Sequence, residues 1–393
     1  MNDQQGSRAH LAIIEILCVC TLVTILVAGL WPFHAPRNNI EWLGKEDGLQ
    51  FGRHGSIVST DAFQSRESNH DDLASLEIWI EAAPVKSRHT ILAFEGEGQG
   101  EVPFRLQQNE QTLIVQRHNI DDRGTDRTAE FRVERALPEG QIVFVTVTLG
   151  KQETSIYLNG VLARTAPILG SSRGNFVGRL VLGNSPSASD SWAGRVLGLA
   201  IFRSQLPTSR VVEHYKSWAM NHRPVLLPAD EPAALYLFNE HAGSSIRNQI
   251  TGAAELTIPE HYFVLHPELL SLPWRHHHAT WSYWSDVAIN VVGFIPFGFS
   301  IFAYFSSVRA FKNSAAITIA LGFIMSLIIE VSQAFLPTRD SGVNDLITNT
   351  LGTVIGVVLH RSLRLQTFVL RVASLIDHAR PKTIDNIEIG SQV

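Results

Sequence analysis

Four runs of apolar residues, each near the length that crosses a bilayer, constrain this chain more than any other feature. They are 11–31 (LAIIEILCVCTLVTILVAGLW), 287–306, 315–336 (AAITIALGFIMSLIIEVSQAFL) and 343–360. A helix rises about 1.5 Å per residue and the hydrocarbon core is about 30 Å thick, so roughly 20 apolar residues span it. The stretch between the first two runs is polar and rich in turn residues. The chain therefore reads as a mosaic of membrane and water-soluble parts. Its formal net charge of -5 and pI near 6.3 give no basic field, so no nucleic-acid partner is expected.

The first run has two readings, an anchor or a cleaved signal peptide. Arg8 precedes it and FHAP follows, but its apolar core exceeds the roughly 7–15 residues of a signal peptide and lacks an Ala-x-Ala site. The anchor is favoured. Cys18 and Cys20 lie inside it and read as small apolar filler. Orientation follows the Lys and Arg of the short loops. Arg309 and Lys312 fall between the second and third crossings, and Arg361, Arg364, Arg371, Arg380 and Lys382 follow the last. Both termini, with Arg8, are thus expected in the cytoplasm, and residues 34–283 outside it.

The outer segment shows the two-residue period of strands. Leu76, Ile78 and Ile80 alternate with Glu77, Trp79 and Glu81, which predicts a half-buried strand. QTLIVQ (111–116), AEFRVE (129–134), QIVFVTVT (141–148) and RLVLG (179–183) repeat the pattern. Asn159-Gly160 stands between two apolar runs, a hairpin signal because both residues accept positive φ. Many short strands with Gly-rich turns predict an all-β sandwich or jelly roll.

The run GQIVFVTVTLGKQETSIYLNGVLART, then RLVLGN, then WAGRVLGLAIFRSQLPTSRVVEHY, resembles the laminin-G-like, concanavalin-A-like jelly roll. Phe144 stands where that family usually has Trp, and Trp192-Ala193-Gly194 replaces its Phe-x-Gly. The segment 234–259 also looks like an opening strand of such a domain. Members of the family bind sugars or proteins, sometimes with Ca²⁺. No ligand cluster carries Ca²⁺ over, since Asp190 and Glu240 stand alone in sequence, and no cofactor is expected. Trp79 and Trp192 read as core aromatics rather than sugar platforms. No strand carries the paired carboxylates of a glycosidase.

The connector 223–283 contains His276-His277-His278, which consecutive geometry and the lack of nearby Cys or acid make a poor metal set. The domain plan is therefore 1–33 as tail and first helix, 38–222 as jelly roll, 223–283 as connector partly packed on it, 284–360 as a three-helix membrane block, and 361–393 as a cytoplasmic tail. In that tail RSLRLQTFVLRVASLIDHAR reads as a basic amphipathic helix lying on anionic lipid.

The membrane block carries polar pairs three or four residues apart, hence each on one helical face. They are Asp286 with Asn290, Glu330 with Gln333, and Asp345 with Asn349, and Arg339 is the one obvious cation beside them. With the orientation above, all lie near the outer end of their helices. Intramembrane ionisable groups face the bundle interior and need partners. Three readings stay open: a structural clasp, a binding pocket in the outer leaflet, or a catalytic site. Pro296 removes one backbone donor and is expected to bend its helix. Gly352 and Gly356 form a small-xxx-small face for close packing.

These residues also resemble the VanZ-like membrane proteins. That family's pattern appears as Asp286, Asn290, Phe294, Pro296 and Gly298, then Glu330 and Gln333, then Arg339, then Asp345, Asn349, Gly352 and Gly356. The family normally has one more helix before this block, a place the 11–31 run fills, which makes the jelly roll an insertion in the first outer loop. The resemblance implies a bacterial cytoplasmic-membrane protein with an envelope role in cell-wall or exopolysaccharide assembly. Glycopeptide (teicoplanin) resistance is linked to the family's namesake, and the resemblance does not itself carry it to this chain. The expected ligand is amphiphilic or a glycan or cell-wall precursor, bound by Asp286, Asn290, Glu330, Gln333, Arg339, Asp345 and Asn349. Membrane lipid and an envelope protein are further expected partners. The rivals are a membrane-embedded enzyme acting on a lipid-linked glycan, and an assembly factor whose jelly roll binds protein. The membrane block has no Ser–His nucleophile pair, which leans against an enzyme.

Overall fold

The protein is described from a computed structural model. It covers residues 2–63, 74–96, 102–120, 126–150, 153–167, 171–172, 176–187, 190–263, 265, 269–271, 281–308, 313–336, 338–339 and 341–379. Two compact units emerge, one of Met1–Trp31, Leu269–Gln333 and Ser341–Val393, the other of Pro32–Glu268 with Ala334–Asp340.

The second unit is an antiparallel sandwich. Its strands are β1 (Ile40–Trp42), β2 (Leu49–Phe51), β3 (Ile57–Ser59), β4 (Ala74–Ala82), β5 (Arg88–Glu95) and β6 (Phe104–Asn109). They continue with β7 (Thr112–Ile120), β8 (Asp126–Val133), β9 (Ile142–Leu149), β10 (Glu153–Leu158), β11 (Val161–Pro167) and β12 (Ser171–Ser172). The last are β13 (Arg179–Leu182), β14 (Gly194–Phe202), β15 (Pro232–Tyr236), β16 (Ser245–Ile246) and β17 (Leu256–Thr257). One sheet runs β1-β2-β14-β4-β9-β10-β11 with β15 beside β14, the other β12-β7-β6-β5-β13-β3-β17-β16 with β8 beside β7. Residues 232–257, read from sequence as connector, thus supply strands to both sheets. The break at 222 falls inside the fold.

The core lies between the sheets. Leu76, Ile78 and Ile80 of β4 meet Leu92, Phe94, Leu106 and Val115 there, all fully buried. Trp192 is also fully buried, and its indole N–H donates to Gln108 Oε1 at 2.6 Å. Apolar burial of this kind contributes roughly 25 cal/mol per Å².

The strand expectation for 76–81 needs one correction. Glu77, on the face expected to be wet, is fully buried. The cause is an amphipathic helix laid across β4, β9 and β14. α1 spans Asn2–Leu30 in the other unit; α2, Thr208–Asn221, is this covering helix. Val211, Trp218 and Tyr215 of α2 pack with Phe144, Phe202 and Trp79 as a second apolar layer. Trp79 is therefore a core aromatic of this outer layer, its ring 5.3 Å from that of Phe144. His214 of α2 is buried against Glu77. Burial pushes the Glu77 carboxyl above its usual range, and His214 holds that rise back.

The hairpin forms where Asn-Gly predicts it. Asn159 and Gly160 have φ of 50° and 76°. Asn159 Oδ1 also accepts the Phe144 N–H at 2.9 Å, which ties the turn to the neighbouring strand.

The membrane unit holds α1 with α3 (Trp281–Val308), α4 (Ser314–Ala334) and α5 (Val343–Ala379). Among the described residues, four stretches are long and apolar enough to cross: Leu11–Leu30, Tyr283–Val308, Ser314–Ala334 and Val343–Arg364. α3 runs unbroken through Pro296. α1, α3 and α4 meet around Ile25, Phe294, Phe297 and Ile329. α3 and α5 meet on glycine: a Cβ on Gly352 would lie 2.2 Å from Val291 O, and one on Gly356 2.2 Å from Ile295 O. The small-xxx-small face is real packing.

The helix expected in the tail is continuous with the last crossing: among the described residues, α5 runs on past residue 360 as a single helix of 37 residues to Ala379. Between Gly356 and Pro381 no Gly or Pro interrupts it, so nothing stops propagation. The triple His at 276–278, Arg309, Lys312, Arg380 and Lys382 lie outside the described residues.

Candidate functional site

The polar pairs of the membrane unit resolve into distinct contacts. Glu330, 1% exposed, accepts the backbone N–H of Gly342 at 2.8 Å and a hydrogen bond from the Ser341 side chain. Gly342 immediately precedes α5, where a helix leaves its first N–H groups unpaired and carries a partial positive charge. The carboxylate thus meets the helix end that suits it. Ser341 is held in turn by residues 270–271. Leu270 N–H donates to Ser341 Oγ at 3.2 Å, Ser271 N–H to Ser341 O at 2.9 Å, and Val343 N–H to Ser271 O at 3.2 Å. This short parallel bridge was not legible in sequence: Leu270, Ser271, Ser341 and Gly342 carry no periodic signal.

Gln333 reaches another helix, its amide donating to Gly29 O of α1 at 2.8 Å. Asn349 Nδ2 donates to Ser326 Oγ of α4 at 2.9 Å, and Thr353 Oγ1 to Asn349 O at 3.1 Å. Glu330, Gln333 and Asn349 are all buried. Asp345 is half-buried in the first turn of α5. On α3, Asp286 is exposed and Asn290 half-buried. Arg339 is exposed in the segment after α4, its N–H bonded to Leu336 O at 3.0 Å. Three of these acids and amides are each spent on a different helix contact.

The sandwich offers an open concavity of about 400 Å³, within the range of small-ligand sites. Its floor includes Gln108, whose amide donates to Ala83 O at 2.9 Å and Glu110 O at 2.7 Å. Glu110, Glu134, Glu139 and Arg135 rim it. Glu110 and Arg135 both hold positive φ, 54° and 53°.

Comparison with known proteins follows the same division. Residues 233–364 match the VanZ/LLP1 family, and residues 52–212 match the concanavalin A-like lectin/glucanases superfamily. No curated protein matches the chain. Among solved structures, the receptor binding domain of botulinum neurotoxin mosaic serotype C/D is 14% identical, over 47% of this chain and 45% of that one, with a TM-score of 0.37. A candidate carbohydrate binding protein from Bacteroides ovatus is 15% identical, over 54% and 57%, with a TM-score of 0.39. The chain spans about half the length of these structures. One chain thus joins a membrane region similar to the VanZ/LLP1 family to a jelly-roll sandwich similar to the concanavalin A-like superfamily.

Proposed function

We propose that this is a bacterial envelope protein that recognises carbohydrate through its sandwich and holds that sandwich at the outer face of the cytoplasmic membrane. The supporting observation is covalent: one chain carries a lectin/glucanase-type sandwich and a bundle of four apolar helices. The Arg and Lys bias of the sequence supports cytoplasmic termini with residues 34–283 outside. Within the bundle, Glu330, Gln333 and Asn349 serve mainly to clasp helices. Asp286 and Asn290 of α3, with Asp345 of α5, are the groups we assign to the polar head of an amphiphile, such as a lipid-linked cell-wall precursor. A role in glycopeptide resistance is the narrowest form of this reading.

The test uses the full chain in nanodiscs on immobilised envelope polysaccharides and neutral, acidic and amino glycans. Saturable binding to at least one glycan supports the reading. Absence of binding across the panel by a folded chain overturns it. Orientation is checked by an impermeant maleimide on intact cells, in a chain with Cys18 and Cys20 changed to Ala. Val161→Cys should react and Ser362→Cys should not; the reverse pattern inverts the topology.

A further inference from the structure

Among the described residues, three buried polar atoms of the second sheet and of the segment before β14 have no hydrogen-bond partner. Arg105 and Gln107 are two apart on β6, so their side chains leave the same face. There Thr90 Oγ1 donates to Asp190 Oδ2 at 2.6 Å, and Gln107 Nε2 donates to Thr90 Oγ1 at 3.1 Å and to Asp190 Oδ2 at 3.3 Å. These bonds consume one oxygen of Asp190 and the nitrogen end of the Gln107 amide. Asp190 Oδ1, Gln107 Oε1 and Arg105 Nε remain, each covered and each without a hydrogen-bond partner. Gln107 is 1% exposed and Thr90 wholly buried, whereas Arg105 and Asp190 are half-buried. Native folds leave few such atoms unpaired; here Asp190 and Gln107 are bonded to each other, and Arg105 lies two residues along the same strand face.

The chemistry of that occupant follows from the inventory. Two free acceptors and one free donor complement neighbouring hydroxyls, each able to donate and accept. One hydroxyl donates to Asp190 Oδ1 while accepting from Arg105 Nε–H, and the next donates to Gln107 Oε1. The guanidinium and carboxylate cancel in charge, which suits a neutral group. The Arg105 guanidinium also stands against a metal ion. We propose that Arg105, Gln107 and Asp190, braced by Thr90, form a seat for the vicinal diol of a neutral sugar. Rotation of the long, half-buried Arg105 side chain opens it to the surface. This rests on the carbohydrate reading above and gives it a place and a ligand class. The acid-rimmed concavity at Glu110, Glu134 and Glu139 is the competing seat.

The experiment titrates the full chain in nanodiscs with neutral hexose oligosaccharides, with uronic acid and glucosamine oligomers as controls. The wild type should bind a neutral glycan. Asp190→Asn and Gln107→Leu should each weaken it about 10-fold or more, the loss expected for one buried hydrogen-bonding group. Arg105→Met, at a half-exposed position, serves if either buried variant fails to fold. Glu134→Gln with Glu139→Gln should leave binding intact. If only the concavity variants lose binding, or if acidic or amino glycans are the ligands, the seat is refuted and the carbohydrate reading survives. If the wild type binds no glycan, both fall.

Discussion

Both carboxylate oxygens of Glu77, on the central strand β4, lie 3.1 Å from Nδ1 of His214 on α2. His214 Nε2 accepts from Arg210 Nη2 at 2.9 Å, which leaves the ring proton on Nδ1, donating to Glu77. Arg210 pairs with Asp230 through two bonds, Nε to Oδ1 at 2.9 Å and Nη2 to Oδ2 at 2.5 Å. A polar chain from strand to helix to the 228–230 turn thus holds α2 on the sheet. With Glu77 and His214 fully buried, removing either member alone strands a desolvated group.

This chain sets an unusual pH response. Burial raises the Glu77 pKa above its usual 4.5, with His214 opposing. The folded state therefore holds a proton that the unfolded state has released. The associated stability is complete below about pH 4.5 and is lost as pH rises through the folded value. Asp230 and Glu130 act oppositely. Burial pushes each carboxyl up, but bonds from Arg210, and from Gln116, Arg132 and Arg88, pull them below their usual values. Their contribution is lost only at more acid pH. As pH falls toward 4.5 the Glu77 contribution should grow, with a slope of at most about 1.4 kcal/mol per pH unit. His54, whose pKa burial lowers, contributes oppositely, so thermal melts of wild type and Glu77→Gln compared at each pH isolate the Glu77 contribution. Glu77→Gln should flatten the curve. A slope unchanged in Glu77→Gln would count against the assignment.

The α3–α5 contact should tolerate no side chain at its glycines. Gly352→Leu forces a Cβ to within 2.2 Å of Val291 O. The expected cost is about 1–3 kcal/mol or more, read as a lowered melting temperature in detergent and reduced accumulation in membranes. Gly293, with nothing within 4 Å of its would-be Cβ, is the internal control. Gly293→Ala should be neutral or slightly stabilising, by up to about 1 kcal/mol.

The Glu330 contact separates shape from charge. Glu330→Gln keeps an acceptor for the Gly342 N–H, whereas Glu330→Leu leaves that N–H and the Ser341 hydroxyl unpaired. Leu should destabilise the bundle by about 1–3 kcal/mol, while Gln should be mild. If Gln leaves stability intact but abolishes an envelope phenotype, the carboxyl has a role beyond clasping. Full function in Glu330→Gln with Asp345→Asn would leave the clasp as the sufficient account.

The hairpin makes a similar demand on Gly160. Its φ is 76°, and an added Cβ would lie 3.1 Å from Tyr215 Cδ1 on α2. Gly160→Val should cost about 1 kcal/mol or more, because a β-branched residue resists positive φ. Urea denaturation followed by tryptophan fluorescence reports it directly, through Trp79 and Trp218 of the adjoining layer. An unchanged midpoint would show that the turn adapts.

What the sequence determined by itself was whatever depends on local period, length or a turn's dihedral needs. The four apolar runs set the membrane helices, the alternation in 76–80 set β4, and Asn159-Gly160 set its hairpin. The glycines at 352 and 356 marked a packing face because helical spacing alone places them together. Tertiary structure decided the rest. Glu77 looked solvent-facing because an alternating strand cannot announce that a helix residue 137 positions later will cover it. Glu330 looked short of a cation because its partners are not cations but the Gly342 N–H just before α5 and the Ser341 hydroxyl, which no residue pattern signals. Thr90, Gln107 and Asp190 meet across 17 and 83 residues of chain. Contacts between such distant, aperiodic positions are fixed by strand register and loop path, and those exist only once the chain has folded.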